Sequence, residues 1–306
     1  MKDFTQLSFK NLEEALVQSY SKELCYSKVG SLWTRENPYI GMCAITALVV
    51  QDYFGGDIAK IKVDGISHYF NFIQDQVVDF TVKQFSKEVS YHDYRIVDRK
   101  DILTEDTRKR YELLKNKVVT FLLQNVDKSV HKCTLCHGLV EKFPNTDTVF
   151  LGSNNDIVLV GEAPANNGWR KSHLLWRDES GKMLPSGLVL QKLFDIIDKN
   201  ILETTFLEAV KCYPLDRKYL KVCSLHCKQF MMAQLEILNP KLIITLGEFP
   251  TRTLLDFSFK RFSDVVGNVY EVGKYLVLPI YHPSPISPKS YKGNEPIFEK
   301  IKNELL

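Results

Sequence analysis

The stretch Asp156-Ile-Val-Leu-Val-Gly-Glu-Ala-Pro-Ala-Asn-Asn-Gly168 is an apolar run that stops at a loop of small and polar residues. A short continuous run of β-formers bounded by glycine reads as a strand buried on both faces, the kind that parallel sheets contain. Downstream the pattern predicts, in alternation, a helix from Gly187 to Asp198, a strand from Thr205 to Val210 and a helix from Leu220 to Leu238. A strand from Lys241 to Leu246, a helix from Thr251 to Leu255 and a strand from Tyr275 to Ile280 complete the series. That order predicts an α/β domain with a doubly wound parallel sheet. Ligands of such sheets sit beyond the carboxyl ends of strands. Two loops therefore stand out: Gly161 to Gly168, and Tyr281-His-Pro-Ser-Pro285 after the apolar run Leu276 to Ile280.

Upstream the pattern changes. Residues 9 to 29 carry apolar positions at helical spacing, Cys43 to Tyr53 reads as an almost wholly apolar helix, and both suit a core. Three runs of β-formers follow, Ile58 to Val63, His68 to Ile73 and Gln76 to Phe80, separated by Asp-Gly and Asp-Gln turn signals. A small antiparallel sheet is expected there, then a helix around Lys109 to Leu123. The change of pattern divides the 306 residues into a smaller α+β domain, 1–118, and the α/β domain, 119–306.

The composition, 44% hydrophobic and 25% charged, suits two ordinary domains. No apolar stretch reaches the roughly 20 residues needed to span a bilayer, and Met1 to Ser8 lacks a signal-peptide layout. A cytoplasmic protein without a membrane partner is expected; oligomeric state is not legible. Seven cysteines in a reducing compartment point to metal ligands or nucleophiles rather than disulfides. The first 120 residues are balanced in charge, so the net +3 lies in the C-terminal part and favours a polyanion there.

The two loops after the strands resemble the first and second motifs of the uracil-DNA glycosylase superfamily, in particular its iron–sulfur family 4 and 5 members. The resemblance covers most of residues 131 to 306. It includes Cys133-Thr-Leu-Cys136, Thr148-Val-Phe-Leu-Gly152, Ala209-Val-Lys-Cys212-Tyr-Pro214, and Cys227 followed by Gln234 to Gly247. It implies a [4Fe–4S] cluster held by Cys133, Cys136, Cys212 and Cys227, as four thiolates are what the cube requires. A structural zinc on Cys133, Cys136, Cys223 and Cys227 is the alternative by spacing. The resemblance also implies cleavage of a base flipped out of single- or double-stranded DNA, with His282 donating a hydrogen bond to the departing base. Glu162, Asn166 and Asn167 of the first motif would orient water or stabilise charge on the sugar. In the second, Ser284, Ile286, Lys289 and Lys292 suit a wedge flanked by phosphate contacts, with Arg170 adding another. Neither Gly161 to Gly168 nor Tyr281 to Pro285 holds a lysine for a Schiff base, so a monofunctional glycosylase is expected.

The sequence departs from family 4 at the base pocket. Aligning on Val210-Lys-Cys212 puts Glu208 where the family carries an asparagine, and an ionised glutamate only accepts hydrogen bonds. It would suit a base with a donor edge, whereas uracil remains the substrate if Glu208 points elsewhere. No aromatic lies in Gly181 to Gly187, leaving Leu184 or the nearby Trp176 and Trp169 as substitutes, with Ala163 a further candidate pocket residue.

Residues 36 to 118 resemble the YunG-like bacterial family, through Gly41-Met-Cys43 to Tyr53, Ser67-His-Tyr-Phe-Asn71 and Val77-Val-Asp79-Phe-Thr81. Cys43 at a helix N-terminus, His68 on one strand and Asp79 on the next also follow the order of papain-like folds, which would make them a nucleophile, a base and its orienter. A second whole-protein reading follows: a DNA-modification sensor whose N-terminal domain is the effector, as in phage defence.

Overall fold

The computed structural model describes residues 7–143, 146–166 and 168–304. The chain divides into two compact units, Gln6–Leu123 and Gln124–Leu306. No helix among the described residues is long and apolar enough to cross a membrane.

In the first unit, α1 (Phe9–Ser19) starts at Ser8, whose side chain accepts from the Asn11 N–H, and it buries Leu12, Ala15 and Leu16. The helix expected to reach residue 29 stops at Tyr20. That residue turns extended, and its hydroxyl hydrogen-bonds Thr46 at 2.8 Å. Two short 3₁₀ turns, Lys22–Leu24 and Ser27–Val29, follow instead. The apolar α2 (Cys43–Phe54) buries Ile45, Ala47, Leu48, Val49 and Val50. Next come β1 (Asp57–Val63), β2 (Ile66–Ile73), β3 (Gln76–Val78) and β4 (Arg95–Val97). They form an antiparallel sheet in the order β3-β2-β1-β4. Asp64 and Gly65 both have positive φ at the β1–β2 turn, the backbone that tight hairpins need. A short α3 (Arg99–Ile102) precedes α4 (Glu105–Lys132), which runs longer at both ends than the expected 109–123. The boundary between the units falls within α4. Polar Asn125, Asp127 and Lys128 mask the continuing buried positions Val126 and Val130.

The second unit carries β5 (Val140–Glu141), β6 (Val149–Phe150), β7 (Asn154–Gly161), α5 (Trp169–Ser172) and α6 (Pro185–Ile196). It continues with β8 (Thr204–Glu208), β9 (Tyr213–Pro214), α7 (Leu220–Leu238) and β10 (Leu242–Leu246). Last are α8 (Glu248–Leu254), β11 (Tyr270–Val272), β12 (Tyr275–Ile280) and α9 (Glu295–Glu304). Six strands form one sheet in the order β11-β12-β10-β7-β8-β6. The central four are parallel and both edge strands antiparallel, so the sheet is mixed at its margins. Ile157, Leu159, Ile244, Leu246, Leu278 and Ile280 meet α6 and α9 through Leu190, Leu193, Phe194, Phe298 and Ile301. Val158, Val160, Ile243 and Val277 alternate to the other face and are also buried. Both faces are therefore covered, as the unbroken apolar strands require.

Candidate active site

Parallel pairing brings the ends of β7, β8, β10 and β12 to one edge of the sheet, and each sends a chemically distinct residue there. Glu162 follows β7, Glu208 ends β8, Gly247 follows β10, and His282 lies two residues past β12.

His282 is open to solvent, yet the protein desolvates its ring from beneath. That burial pushes its pKa below the ordinary histidine range, and Glu162 pulls the other way. Nδ1 accepts the Ser284 N–H at 3.1 Å. The neutral ring therefore carries its proton on Nε2, where it can be donated. Gly247 makes room for the imidazole: its φ is +96°, and a Cβ there would lie 3.1 Å from the Cβ of His282. Its N–H also bonds the Ile280 carbonyl at 2.9 Å, tying the β10 loop to the end of β12.

The histidine loop is held by a residue that pattern reading missed. Asn294 is fully buried and brackets Tyr281, accepting its N–H at 2.8 Å and donating to its carbonyl at 2.8 Å, with another bond to the Ser290 carbonyl. An asparagine just ahead of α9 looks like an ordinary helix start in sequence, so nothing there singled it out. Arg217 was also missed. It grips both oxygens of Glu162, at 2.8 and 2.9 Å, while staying largely exposed, and its charge also reaches His282.

The remaining expected residues fall in several environments. Asn166 is exposed and accepts from Lys171 at 2.7 Å, whereas Asn167 lies outside the described residues. Ile286 is 93% exposed at the tip of the histidine loop, with Lys289 and Lys292 exposed beside it in sequence and Ser284 half-buried. Lys289 donates to the Tyr281 hydroxyl at 3.3 Å. Leu184 is half-buried before α6, and Trp176 leans on Phe206 with its ring centre 4.8 Å away. Trp176 has a positive φ and a buried Nε1 without a partner among the described residues. Ala163 packs against the apolar cluster of Val210, Leu220 and Cys223.

Two expectations are corrected. Arg170 is 2% exposed and pairs with Glu208 at 3.2 Å, so it is an interior charge and not a surface phosphate contact. Glu208 is itself 2% exposed and accepts from Trp169 Nε1 at 2.7 Å through its other oxygen. Both its oxygens thus have protein donors, and it is not an open acceptor waiting for a base. The partners stand almost forty residues upstream, where alignment on Val210-Lys-Cys212 gave no sign of them.

Behind this edge lies a cavity of about 310 Å³ lined by Cys133, Cys136, Cys212, Cys223 and Cys227, with His137, Lys142 and His226. The β5–β9 pairing, Glu141 opposite Tyr213, brings the Cys133–Cys136 loop alongside Cys212. Cys227 on α7 is drawn in by the Lys211 N–H, which donates to its sulfur at 3.5 Å. Burial pushes the thiols of Cys223 and Cys227 up to about 12. Thiols so placed resist ionisation unless a cation compensates. Among the described residues no group of three or more potential ligands is poised to hold a single metal ion; the sulfurs surround a volume. Thiols around a volume, one already taking an N–H bond, are the donor set that an iron–sulfur cube requires.

In the first unit, Cys43, His68 and Asp79 are brought together. His68 Nε2 lies 2.6 Å from Asp79 Oδ2, and Cys43 is close enough to act on the charge of the imidazole.

Comparison with known proteins matches residues 8–122 to the YunG protein family and 149–306 to the uracil DNA glycosylase superfamily. The YunG protein of Bacillus subtilis is 35% identical over 106 residues, which is 35% of this chain and 87% of that protein. The type-4 uracil-DNA glycosylase of Archaeoglobus fulgidus is 29% identical over 160 residues, 48% of this chain and 75% of the relative. That of Thermotoga maritima is 28% identical over 170 residues, 53% and 82% respectively. With a histidine and a glutamate on loops at the carboxyl edge of a mostly parallel sheet and a family match over the same segment, this chain belongs to the uracil DNA glycosylase superfamily and carries a YunG domain ahead of it.

Proposed function

We propose that the Gln124–Leu306 unit is a monofunctional DNA glycosylase that hydrolyses the N-glycosidic bond of a base flipped out of DNA. The observation that carries this reading is His282, a neutral imidazole at the carboxyl edge with Nδ1 occupied by Ser284 and its proton therefore on Nε2. A base leaves its sugar with the bonding electron pair and is anionic as it departs. A fixed N–H donor aimed at that charge lowers the barrier without first having to reorganise. Glu162 brings a carboxylate to the same edge, where it stabilises positive charge growing on the sugar. Asn166 and Asn167 are assigned to the attacking water. Ile286, at the exposed loop tip, fills the gap in the base stack, and Lys289 and Lys292 contact phosphates. Neither Gly161–Gly168 nor Tyr281–Pro285 contains a lysine, so the reaction ends at hydrolysis.

Cys133, Cys136, Cys212 and Cys227 are assigned to a [4Fe–4S] cluster, whose contribution when bound is a structural cross-link. The relatives' names favour uracil as the base. The occupied oxygens of Glu208 remove the reason to prefer a base with a donor edge. Trp176, Leu184 and Ala163 are left as pocket walls.

The test is release of free uracil from single- and double-stranded oligonucleotides, followed by mass spectrometry. His282→Ala should slow release by about a hundred- to a thousand-fold while DNA affinity stays close to wild type. Wild-type release by the variant, or no release of any base by the intact protein, removes the proposal.

A further inference from the structure

Cys43, His68 and Asp79 lie outside the glycosylase unit, and the YunG match assigns them no role. Their arrangement is that of a nucleophile beside its base: a thiol close enough to act on the charge of an imidazole, and the imidazole oriented by a carboxylate 2.6 Å from its Nε2. The carboxylate is itself fixed. Asp79 accepts from the Thr81 N–H at 2.9 Å, the Thr81 hydroxyl at 3.1 Å and the Tyr91 hydroxyl at 2.9 Å, besides His68. Four bonds fill the acceptor sites of one carboxylate and fix its orientation. The imidazole is clamped as well: its side chain is 0% exposed, Phe85 stands edge-on to it at 4.9 Å, and Gln84 Nε2 lies 3.1 Å from Nδ1. Gln84 is held in turn by its bond to the Thr81 carbonyl. With Nε2 committed to Asp79, a proton exchanged with the thiol would pass through Nδ1, the nitrogen that Gln84 also approaches.

Two further features point to a reacting carbonyl. Cys43 is the first residue of α2, and that helix has no side-chain cap at its start. The N–H groups of its first turn are thus left without intrahelical partners next to the sulfur, where an oxyanion would form. Cys43 is also half-buried while the His68 and Asp79 side chains are sealed, so the nucleophile is the member that faces outward.

We propose that Cys43, His68 and Asp79 form a second catalytic centre, a cysteine hydrolase that cleaves amide bonds of the peptide type. The Cys43 sulfur attacks the carbonyl carbon, and the C=O π pair moves to oxygen, facing the first-turn N–H groups of α2. On collapse the C–N bond breaks and the amine leaves with the proton that His68 Nδ1 took from the thiol. Water then attacks the thioester, giving a proton to His68 as the C–S bond breaks, and the thiol is restored. The sum is amide plus water giving carboxylic acid plus amine, with no oxidant or cofactor.

The leaving group decides between acyl substrates. Thioesters expel a stable thiolate unaided, whereas an amine must be protonated as it departs, so amide cleavage needs an acid that keeps its proton at neutral pH. Burial works against charge on the His68 ring, yet the Asp79 carboxylate, 2.6 Å from Nε2, and the neighbouring Cys43 carry its pKa up to about 9. A ring so disposed, on a fixed carboxylate, suits the amide.

The experiment uses the full chain and two probes. Limiting iodoacetamide at neutral pH, with each cysteine peptide quantified by mass spectrometry, should label Cys43 at least about tenfold faster than Cys25. Asp79→Asn and His68→Gln should abolish that advantage while circular dichroism shows both variants folded at the labelling temperature. A defined library of peptides, read for new termini, should show cleavage by wild type and none by Cys43→Ser. Labelling of Cys43 that is indifferent to both substitutions overturns the triad. Triad-dependent labelling, with ester probes cleaved and every peptide intact, overturns the amide assignment. Neither outcome bears on base release, so the two activities stand or fall separately.

Discussion

At the scale of single residues, the histidine loop shows how far one side chain depends on others. Asn294 is fully buried and makes three hydrogen bonds to the backbone around Tyr281 and Ser290. Asn294→Ala should cost roughly 1–3 kcal/mol through the orphaned backbone groups. It should also lower the rate of base release more than DNA affinity, because it misplaces His282 without touching phosphate contacts. Denaturant unfolding and single-turnover assays of the same variant check both parts. The pH profile is a second prediction. His282 is held below the ordinary histidine pKa, so the neutral donor should persist through neutral pH and into mild acid. Activity should fall only once Nδ1 is protonated, since that proton displaces the Ser284 N–H. His282→Gln should lack this acidic limb in a single-turnover pH series. The residues named from motif position, His282 and Glu162, do reach one edge. Glu208 and Arg170 could not be read correctly, because a charge pair between residues 38 apart leaves no local trace in sequence.

At the scale of elements, periodicity was a good guide wherever burial was one-sided or complete. α7 and β12 have the predicted bounds, Leu220–Leu238 and Tyr275–Ile280, as both are framed by clear apolar patterns. The misreadings have local causes. α1 ends early because Tyr20 is engaged by Thr46, a tertiary contact, and α4 extends because its polar positions hide a continuing buried stripe. The antiparallel edges, β6 and β11, are two and three residues long, too short for alternation to register. Packing between α6 and α9 yields the prediction here. Phe298 is fully buried with its ring 5.5 Å from that of Phe194. Phe298→Ala should destabilise the second unit by about 3–5 kcal/mol, measured by denaturant unfolding.

On the scale of the whole molecule, the change from an antiparallel to an alternating pattern marked two domains, and the structure has two compact units with separate apolar clusters. Calorimetry should therefore resolve two transitions, of which only the one weakened by Phe298→Ala reports the glycosylase unit. The thiol cavity adds a consequence for the unfolded chain. Its sulfurs come from three separate segments, around Cys133, Cys212 and Cys227. Any group that bridges them closes loops of roughly 75 and 15 residues, and on the scale used for disulfides each closure removes about 3–5 kcal/mol of chain entropy from the denatured ensemble. With such a group bound, a chain lacking Cys212 or Cys227 would relax into a larger ensemble on unfolding, and would lose stability even with every contact of the sheet intact.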